Sequence, residues 1–129
     1  MSDRVLLDTS ALLYWTLDPG RLSYPARQAV EDASMRMALS VSLWEIALKV
    51  SRARLELPLE LDEYVARLET VEGLEFLPLD VETAVRGARL QWDHRDPVDR
   101  WIVAHAQRLN VPLLTSDATI RAFTTLALW

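Results

Sequence analysis

The first dozen residues set the strongest constraint on the fold of this chain. Val5-Leu6-Leu7 is a short apolar run that ends in the polar triplet Asp8-Thr9-Ser10, and a helical pattern begins directly after it. Such a run is typical of a buried parallel strand. Asp8 then lies at the carboxyl end of the strand, the edge at which open α/β sheets bind ligands. No helix-start preference accounts for an acid directly after three core residues, so Asp8 is a candidate functional residue.

Apolar strands and amphipathic helices alternate along the whole sequence. We expect strands at residues 4–8, 37–41, 76–79 and 111–115, a possible fifth at 126–129, and helices at 10–17, 24–33, 43–54, 62–71, 81–91, 97–109 and 116–123. This alternation predicts a parallel sheet with helices on both faces. The fold class is therefore α/β: one three-layer α/β/α domain over residues 1–129, with a central parallel sheet of four to five strands. Pro78 favours an edge position for the third strand.

Four tryptophans fall at or beside apolar helix positions. They are Trp15, Trp44, Trp92 and Trp101. Aromatic side chains at such positions usually pack in the core, and we expect all four to do so.

The composition excludes several classes of protein. Without cysteine there is neither a disulfide framework nor a thiolate metal site, and a cytoplasmic location is the default expectation. No apolar run reaches the roughly 18 residues of a membrane helix, and residues 1–4 lead into a strand without room for a signal peptide. The net charge of −5 argues weakly against nonspecific nucleic-acid binding, unless divalent metals neutralise several carboxylates.

Four acids far apart in the sequence fall at strand ends or helix starts. Asp8 ends the first strand, Glu45 lies in the expected first turn after the second strand, Asp99 lies in the first turn of the sixth helix, and Asp117 follows the fourth strand. In a parallel sheet, the carboxyl ends of the strands and the amino ends of the following helices share one edge. We therefore expect these carboxylates, with Asp96 nearby, to lie together.

Each acid after Asp8 also has a purely structural interpretation. Ser42-x-x-Glu45 has the form of a capping box, in which the glutamate returns a hydrogen bond to the backbone of the cap. Asp96 is a typical N-cap, Asp99 in a first turn complements the helix dipole, and Asp117 fits an ordinary early-helix acid. Jointly, however, these alternatives predict scattered caps and not four carboxylates at one edge.

Clustered carboxylates favour a divalent metal. Carboxylates held close together repel each other by several kcal/mol unless cations or protons intervene. A ligand set made only of oxygen selects Mg²⁺ or Mn²⁺, and these ions suit phosphoryl chemistry. The expected cofactor is therefore Mg²⁺ or Mn²⁺.

Four motifs contain these acids and their neighbours. They are Asp8-Thr9-Ser10-Ala11-Leu12-Leu13, Ser42-Leu43-Trp44-Glu45-Ile46-Ala47-Leu48-Lys49, His94-Arg95-Asp96-Pro97-Val98-Asp99-Arg100 followed by Ile102-Val103-Ala104, and Leu114-Thr115-Ser116-Asp117. The sequence resembles PIN-domain ribonucleases in these motifs, and is most similar to the VapC-type toxins of bacterial toxin–antitoxin pairs. Each motif is only moderately specific, but all four occur in the family's order and spacing, and the resemblance covers essentially the whole chain.

The resemblance implies a metal-dependent endoribonuclease whose catalytic, metal-binding acids are the four named above, with Asp96 as an accessory candidate. In most relatives a hydroxyl near the first acid helps to position metal or water, a role open here to Ser10 or Thr9. Where a basic residue is often found after the fourth acid, this chain has Ala118-Thr119. The resemblance therefore gives no substrate contact at that point.

The corresponding hypothesis is that metal-activated water hydrolyses an RNA phosphodiester, leaving 5′-phosphate and 3′-hydroxyl ends. Arg95, Arg100 and Lys49 are candidate phosphate contacts, with surface salt bridges as the alternative. His94 is a candidate for proton transfer, although a loop histidine is more often polar surface.

The resemblance also implies partners. A cognate antitoxin encoded nearby would lay a helix in a groove of the chain, and family members commonly form homodimers. The leucine-rich segment 50–68, with Leu55, Leu57, Leu59 and Leu61, is a candidate groove wall; the alternative is two core-packing helices joined by a loop. The expected substrate is RNA, and no membrane partner is expected.

Three other functions are alternatives to a ribonuclease. A receiver domain needs paired acids at the first strand and a lysine at a late strand end, whereas here Asp8 stands alone and Lys49 lies in a helix. A haloacid-dehalogenase-type phosphatase needs a second aspartate where Ser10 stands. A catalytically inactive protein-binding module is excluded only by an activity assay.

Overall fold

The computed structural model describes residues 3–129, and residues 1 and 2 of the expected 1–129 domain lie outside the described part. The described residues form five strands: β1 Arg4–Leu7, β2 Met35–Leu39, β3 Leu74–Leu77, β4 Leu113–Leu114 and β5 Ala127–Leu128. They also form seven α-helices: α1 Thr9–Leu17, α2 Tyr24–Asp32, α3 Ser40–Ser51, α4 Leu61–Glu69, α5 Val81–Arg89, α6 Pro97–Leu109 and α7 Ala118–Phe123. A short 3₁₀ turn, Pro19–Arg21, follows α1.

All strands pair in parallel in one sheet, in the order β3-β2-β1-β4-β5. The predicted parallel sheet and the edge position of β3 are confirmed. β3 ends at Leu77, just before Pro78, because proline has no N–H to donate to the ladder. The first strand along the chain lies at the centre of the sheet, so the residue that follows it is surrounded by the ends of β2 and β4.

Two apolar clusters pack on the two faces of the sheet, which makes the three-layer arrangement. Val5 and Leu7 of β1 face one cluster, together with buried residues of α1 to α4, whereas Leu6 faces the other, together with buried residues of α6 and α7. This division follows from the two-residue period of a strand. Across residues 3–129, every helix is too short or too polar to cross a membrane.

The junction between β2 and α3 differs from the prediction. The strand was expected at 37–41 and the helix from 43, with Ser42 as its cap, but α3 begins at Ser40, directly after Leu39. Leu39 is extended and caps the helix with no side-chain hydrogen bond, so no polar residue marks the start. Ser42 is fully buried inside the helix and accepts a hydrogen bond from the Thr9 hydroxyl at 3.0 Å. The predicted capping box is therefore wrong.

The expectation for the tryptophans holds for three of the four. Trp15, Trp92 and Trp101 are partly buried and pack against the two clusters. Trp44, by contrast, is 57% exposed. The buried positions of α3 are Ser42 and Ile46, and Trp44 lies two residues from each, about half a turn around the helix.

Candidate active site

A cavity of about 270 Å³ opens at the carboxyl edge of the sheet. Its lining comes from the loops after β1 and β4 and from α3 and the start of α6: Asp8, Thr9, Ser10, Glu45, Lys49, Asp96, Asp99, Ser116 and Asp117. The structure thus brings all five predicted acids around one space. Lysine 49 is the single cation among these lining residues.

Asp8 is the most buried of the acids, at 6% exposure. It is the N-cap of α1, and its Oδ1 accepts a hydrogen bond from the Ala11 N–H at 2.8 Å, so the expectation that no helix start explains this acid is wrong. Burial raises the pKa of Asp8 to about 6; hydrogen bonds from the Thr115 hydroxyl and from Ala11 oppose this rise, and the charges of Asp99 and Asp117 add to it. A charge at this position is therefore costly in the protein alone.

Asp99 shares this electrostatic environment. Burial raises its pKa, a hydrogen bond from His94 opposes the rise, and the charges of Asp96, Asp117 and Glu45 add to it. The carboxylates of Asp96, Asp117 and Glu45 are thus close enough to Asp99 for their charges to repel its charge.

His94 is held against the site and is not free polar surface. Its Nε2 lies 2.8 Å from Asp99 Oδ2. The imidazole lies against Trp92 with ring centroids 4.7 Å apart and the rings tilted by 40°, and Trp92 stacks on Phe123 at 4.5 Å. The sequence left two interpretations of His94 open, proton transfer and polar surface, and nothing in the sequence signals this pairing. The contact orients the Asp99 carboxylate.

Asp96 and Asp117 both act as helix caps. Asp96 Oδ1 accepts from the Asp99 N–H at 3.1 Å and caps α6. Asp117 Oδ1 accepts from the N–H groups of Thr119 and Ile120, at 2.8 and 3.2 Å, and caps α7. The N-cap interpretation of Asp96 is therefore correct, and the same carboxylate also lines the cavity.

Glu45 lies in the second turn of α3, not in the first as expected, because the helix begins at Ser40. This register still brings its side chain into the cavity. Lys49, one turn further along the helix, has its Nζ 3.9 Å from Glu45 Oε2 and lines the same cavity.

The hydroxyl groups of Thr9 and Ser10 have different surroundings. Thr9 is buried and donates to Ser42, which ties α1 to α3. Ser10 is exposed and lines the cavity, so of the two it is better placed to meet a ligand.

Thr115 directly follows β4 and hydrogen-bonds Asp8, but the sequence analysis did not identify it. A hydroxyl at the carboxyl end of a neighbouring strand is the signal that marks this residue.

Two of the three predicted phosphate contacts lie outside this cavity. Arg95 is exposed in the loop before α6. The Arg100 guanidinium donates at 2.6 to 2.9 Å to four backbone carbonyls, those of Gly87, Leu90, Trp92 and His94. These bonds occupy its donors and fix the loop that carries His94. Arg100 thus has a structural role in this loop, and these hydrogen bonds leave its guanidinium little donor capacity for the predicted phosphate contact.

The donor set fits a hard divalent cation. Three of the five acids, the caps Asp8, Asp96 and Asp117, use Oδ1 for the cap and keep a second oxygen. Within residues 3–129, no three acidic or histidine side chains already form a compact ligand set, so the carboxylates would have to close around an ion. Oxygen-only ligands that repel one another suit Mg²⁺ or Mn²⁺ and not a softer metal.

The sequence and the structure agree with one family of proteins. The PIN domain model matches residues 5–125. The chain belongs to the PIN-domain family. It is 32% identical to Ribonuclease VapC22 of Mycobacterium tuberculosis over 119 residues. This match covers 92% of this chain and 90% of that protein. The predicted relationship to VapC-type PIN domains is confirmed, and it sets aside the receiver and phosphatase alternatives.

Solved structures with the same fold come from toxin–antitoxin complexes. VapBC2 from Rickettsia felis, bound to a promoter DNA fragment, matches with a TM-score of 0.69 at 16% identity, over 98% of this chain and 97% of that chain. A toxin–antitoxin complex from Klebsiella pneumoniae matches with a TM-score of 0.67 at 16% identity, over 97% and 96%. At this identity, the likeness establishes the fold alone.

Proposed function

We propose that this chain is a divalent-metal-dependent endoribonuclease that acts as the toxin of a toxin–antitoxin pair. The observation that carries the proposal is the convergence of Asp8, Glu45, Asp99 and Asp117, from four separate segments, around one cavity. The similarity to a VapC ribonuclease supports the same conclusion.

The four acids would hold the metal. When bound, Mg²⁺ or Mn²⁺ supplies charge stabilisation at the phosphoryl group and a nucleophile at neutral pH. Asp8 is mostly ionised at pH 7, because its pKa is about 6, and is then available as a ligand. His94 orients Asp99, and Ser10 at the mouth of the cavity is placed to position water or substrate. Lys49 brings a positive charge beside Glu45, where an RNA phosphate would approach.

The decisive experiment compares wild type, Asp8→Asn and Glu56→Gln on single-stranded RNA with Mg²⁺. We expect Asp8→Asn to lower kcat/KM about 100-fold or more, because a metal ligand contributes several kcal/mol to transition-state stabilisation. Glu56 is exposed and outside the acidic cavity, so Glu56→Gln serves as the matched control. Calorimetric titration with Mn²⁺ should give a binding isotherm for wild type and none for Asp8→Asn. Cleavage by Asp8→Asn at the wild-type rate would refute the mechanism.

The antitoxin is expected to lay a helix in a groove of the chain. A groove of about 700 Å³ lies between the end of α1 and α4, and Leu57, Leu59 and Tyr64 are among its lining residues. Leu55, Leu57, Leu59 and Leu61 also pack, partly buried, against the core, so the two interpretations of segment 50–68 are compatible.

Expression with and without the neighbouring open reading frame tests the toxin assignment. Growth arrest that requires Asp8 and is relieved by the neighbour would support it, and arrest by Asp8→Asn would count against it. A catalytically inactive binding module predicts no RNA cleavage in any of these samples. Homodimerisation remains a prediction, to be measured by sedimentation.

A further inference from the structure

A second cavity lies beside the acidic one, on the far side of Glu45. Its volume is about 230 Å³, and its apolar lining includes the exposed Trp44. The two cavities share three lining residues: Glu45, Lys49 and Asp96. The two cavities are therefore adjacent, and one is acidic and the other aromatic.

The register of α3 explains this division. Trp44, Leu48 and Arg52 are spaced four residues apart and form one stripe along the helix, whereas Glu45 and Lys49 form the neighbouring stripe. The second stripe lines both cavities, and the first lines the aromatic one only. A linear ligand that reaches the acids across α3 would therefore pass the Trp44 ring.

The rim of the aromatic cavity is basic. Arg52 and Arg54 both line it, and their side chains form no hydrogen bond or ion pair in the part of the chain that the structure describes. Arg67, Arg86 and Arg108, by contrast, are paired with acids. Arg89, on α5, also lacks a side-chain partner among the described residues, so what distinguishes Arg52 and Arg54 is their position together beside the exposed Trp44.

The end of α3 brings these two arginines to the cavity. The Ala53 N–H donates to the Val50 carbonyl at 3.1 Å and the Arg54 N–H to the Lys49 carbonyl at 2.8 Å, which is the Schellman pattern of helix termination. Ala53 has φ +54°, a left-handed conformation that usually requires glycine. This turn folds Arg54 back beside Arg52 at the rim.

We propose that the Trp44 cavity is a nucleotide subsite next to the reaction centre. A base of single-stranded RNA would stack on Trp44, and Arg52 and Arg54 would contact its backbone phosphates. An exposed aromatic ring beside unpaired cations is the combination that binds single-stranded nucleic acid. The inference rests on the proposed ribonuclease function, because it takes RNA as the ligand of the adjoining acidic cavity.

The test measures binding of a fluorescein-labelled RNA oligonucleotide in Mg²⁺ buffer, with Asp8→Asn in every variant to prevent cleavage. Trp44→Ala should raise Kd at least about fivefold, the low end of the cost of losing one stacked base. Trp44→Phe should restore most of the affinity. Tyr24→Ala removes another exposed aromatic side chain, outside both cavities, and should leave Kd unchanged.

The phosphate contacts have a separate signature in salt. Arg52→Ala with Arg54→Ala should reduce the slope of log K against log salt by about 1.4, since each lost phosphate contact on a single strand removes about 0.7. Arg86→Ala with Arg89→Ala, on α5, removes the same charge elsewhere and should leave the slope near its wild-type value.

Several outcomes would overturn the subsite. An unchanged Kd for Trp44→Ala, or an unchanged salt slope for the arginine pair, would do so. So would sedimentation of a dimer that Trp44→Ala dissociates, because the ring would then contact a second copy of the chain. RNA cleavage by the otherwise wild-type Trp44→Ala with normal KM refutes the subsite alone; absence of cleavage and of RNA binding by wild type refutes the proposed function and the subsite with it.

Discussion

Two aspartates in this molecule make the same N-cap hydrogen bond, but their pKa values are shifted in opposite directions. Asp8 caps α1 and Asp80 caps α5, and each accepts a hydrogen bond through Oδ1 from the third residue of its helix region, Ala11 at 2.8 Å and Thr83 at 2.7 Å. Both follow a strand of the same parallel sheet. The pKa of Asp8 is nevertheless raised to about 6, whereas the pKa of Asp80 is lowered.

The difference lies in burial and in what surrounds the second oxygen. Asp80 is stabilised as an anion by the Thr83 N–H, and its Oδ2 accepts from Arg108 at 2.6 Å. Asp8 is buried, and its charged neighbours Asp99 and Asp117 raise its pKa further. A cap explains why an aspartate is found at each position, but only Asp8 carries a charge that the protein does not compensate. Such uncompensated carboxylates are characteristic of sites built for a ligand.

The largest expected contrast between the two aspartates is their response to divalent metal. At a free Mn²⁺ concentration 1,000 times Kd, wild type should gain about 4 kcal/mol of unfolding free energy. Asp80→Asn should gain as much, and Asp8→Asn little. For wild type the gain should increase from pH 5 to pH 7, because protons compete with the metal for Asp8 below its pKa of about 6. Thermal unfolding during Mn²⁺ titration measures these gains. Equal gains for Asp8→Asn and Asp80→Asn would show that Asp8 is not a metal ligand.

The next effect appears without metal. Asp8→Asn should raise the unfolding free energy at pH 7 by on the order of 2–3 kcal/mol, because asparagine keeps the cap and removes the buried charge. The sign follows from the raised pKa: the Asp8 contribution to stability is fully present below its unfolded pKa of about 4 and is lost as pH rises through about 6. The gain should therefore vanish towards pH 4.

Urea unfolding in EDTA at pH 4, 5.5 and 7 tests this expectation. The Glu56→Gln variant controls for removal of an acid from the surface. A lower stability of Asp8→Asn at pH 7 would mean that the Thr115 and Ala11 hydrogen bonds outweigh the cost of burying the charge.

The architecture could be predicted because its signals are local. A short apolar run such as Val5-Leu6-Leu7 is typical of a buried strand. Alternation of such strands with helical patterns predicts a parallel sheet that is covered by helices on both faces. The start of α3 was misplaced because Leu39 caps it with backbone geometry alone, and Ser42, which looks like a cap, is tied to Thr9 instead. Contacts between distant segments decide such boundaries.

The site could be predicted only in outline. The strand-end rule placed five acids at one edge, and the structure brings them around one cavity. The strand-end rule did not predict that His94 hydrogen-bonds Asp99 or that Arg100 donates to backbone carbonyls. These pairings depend on the path of the loop at 90–96. Trp44 was assigned to the core because its neighbours in sequence are apolar. Its exposure depends on which face of α3 meets the sheet.

The smallest expected effect has the opposite sign and completes the comparison. Asp80→Asn should lower the metal-free stability at pH 7, by less than Asp8→Asn raises it, because asparagine keeps the cap but loses the ion pair with Arg108. Since the pKa of Asp80 is lowered on folding, its contribution is present above the unfolded pKa of about 4 and is lost as pH falls through the folded value. The loss of stability should therefore shrink in acid. In an Arg108→Gln background, which already lacks the ion pair, adding Asp80→Asn should no longer change the stability through charge. Were Asp80→Asn to stabilise the protein as Asp8→Asn does, any capping aspartate of this fold would be strained, and the charge at Asp8 would no longer distinguish a functional site.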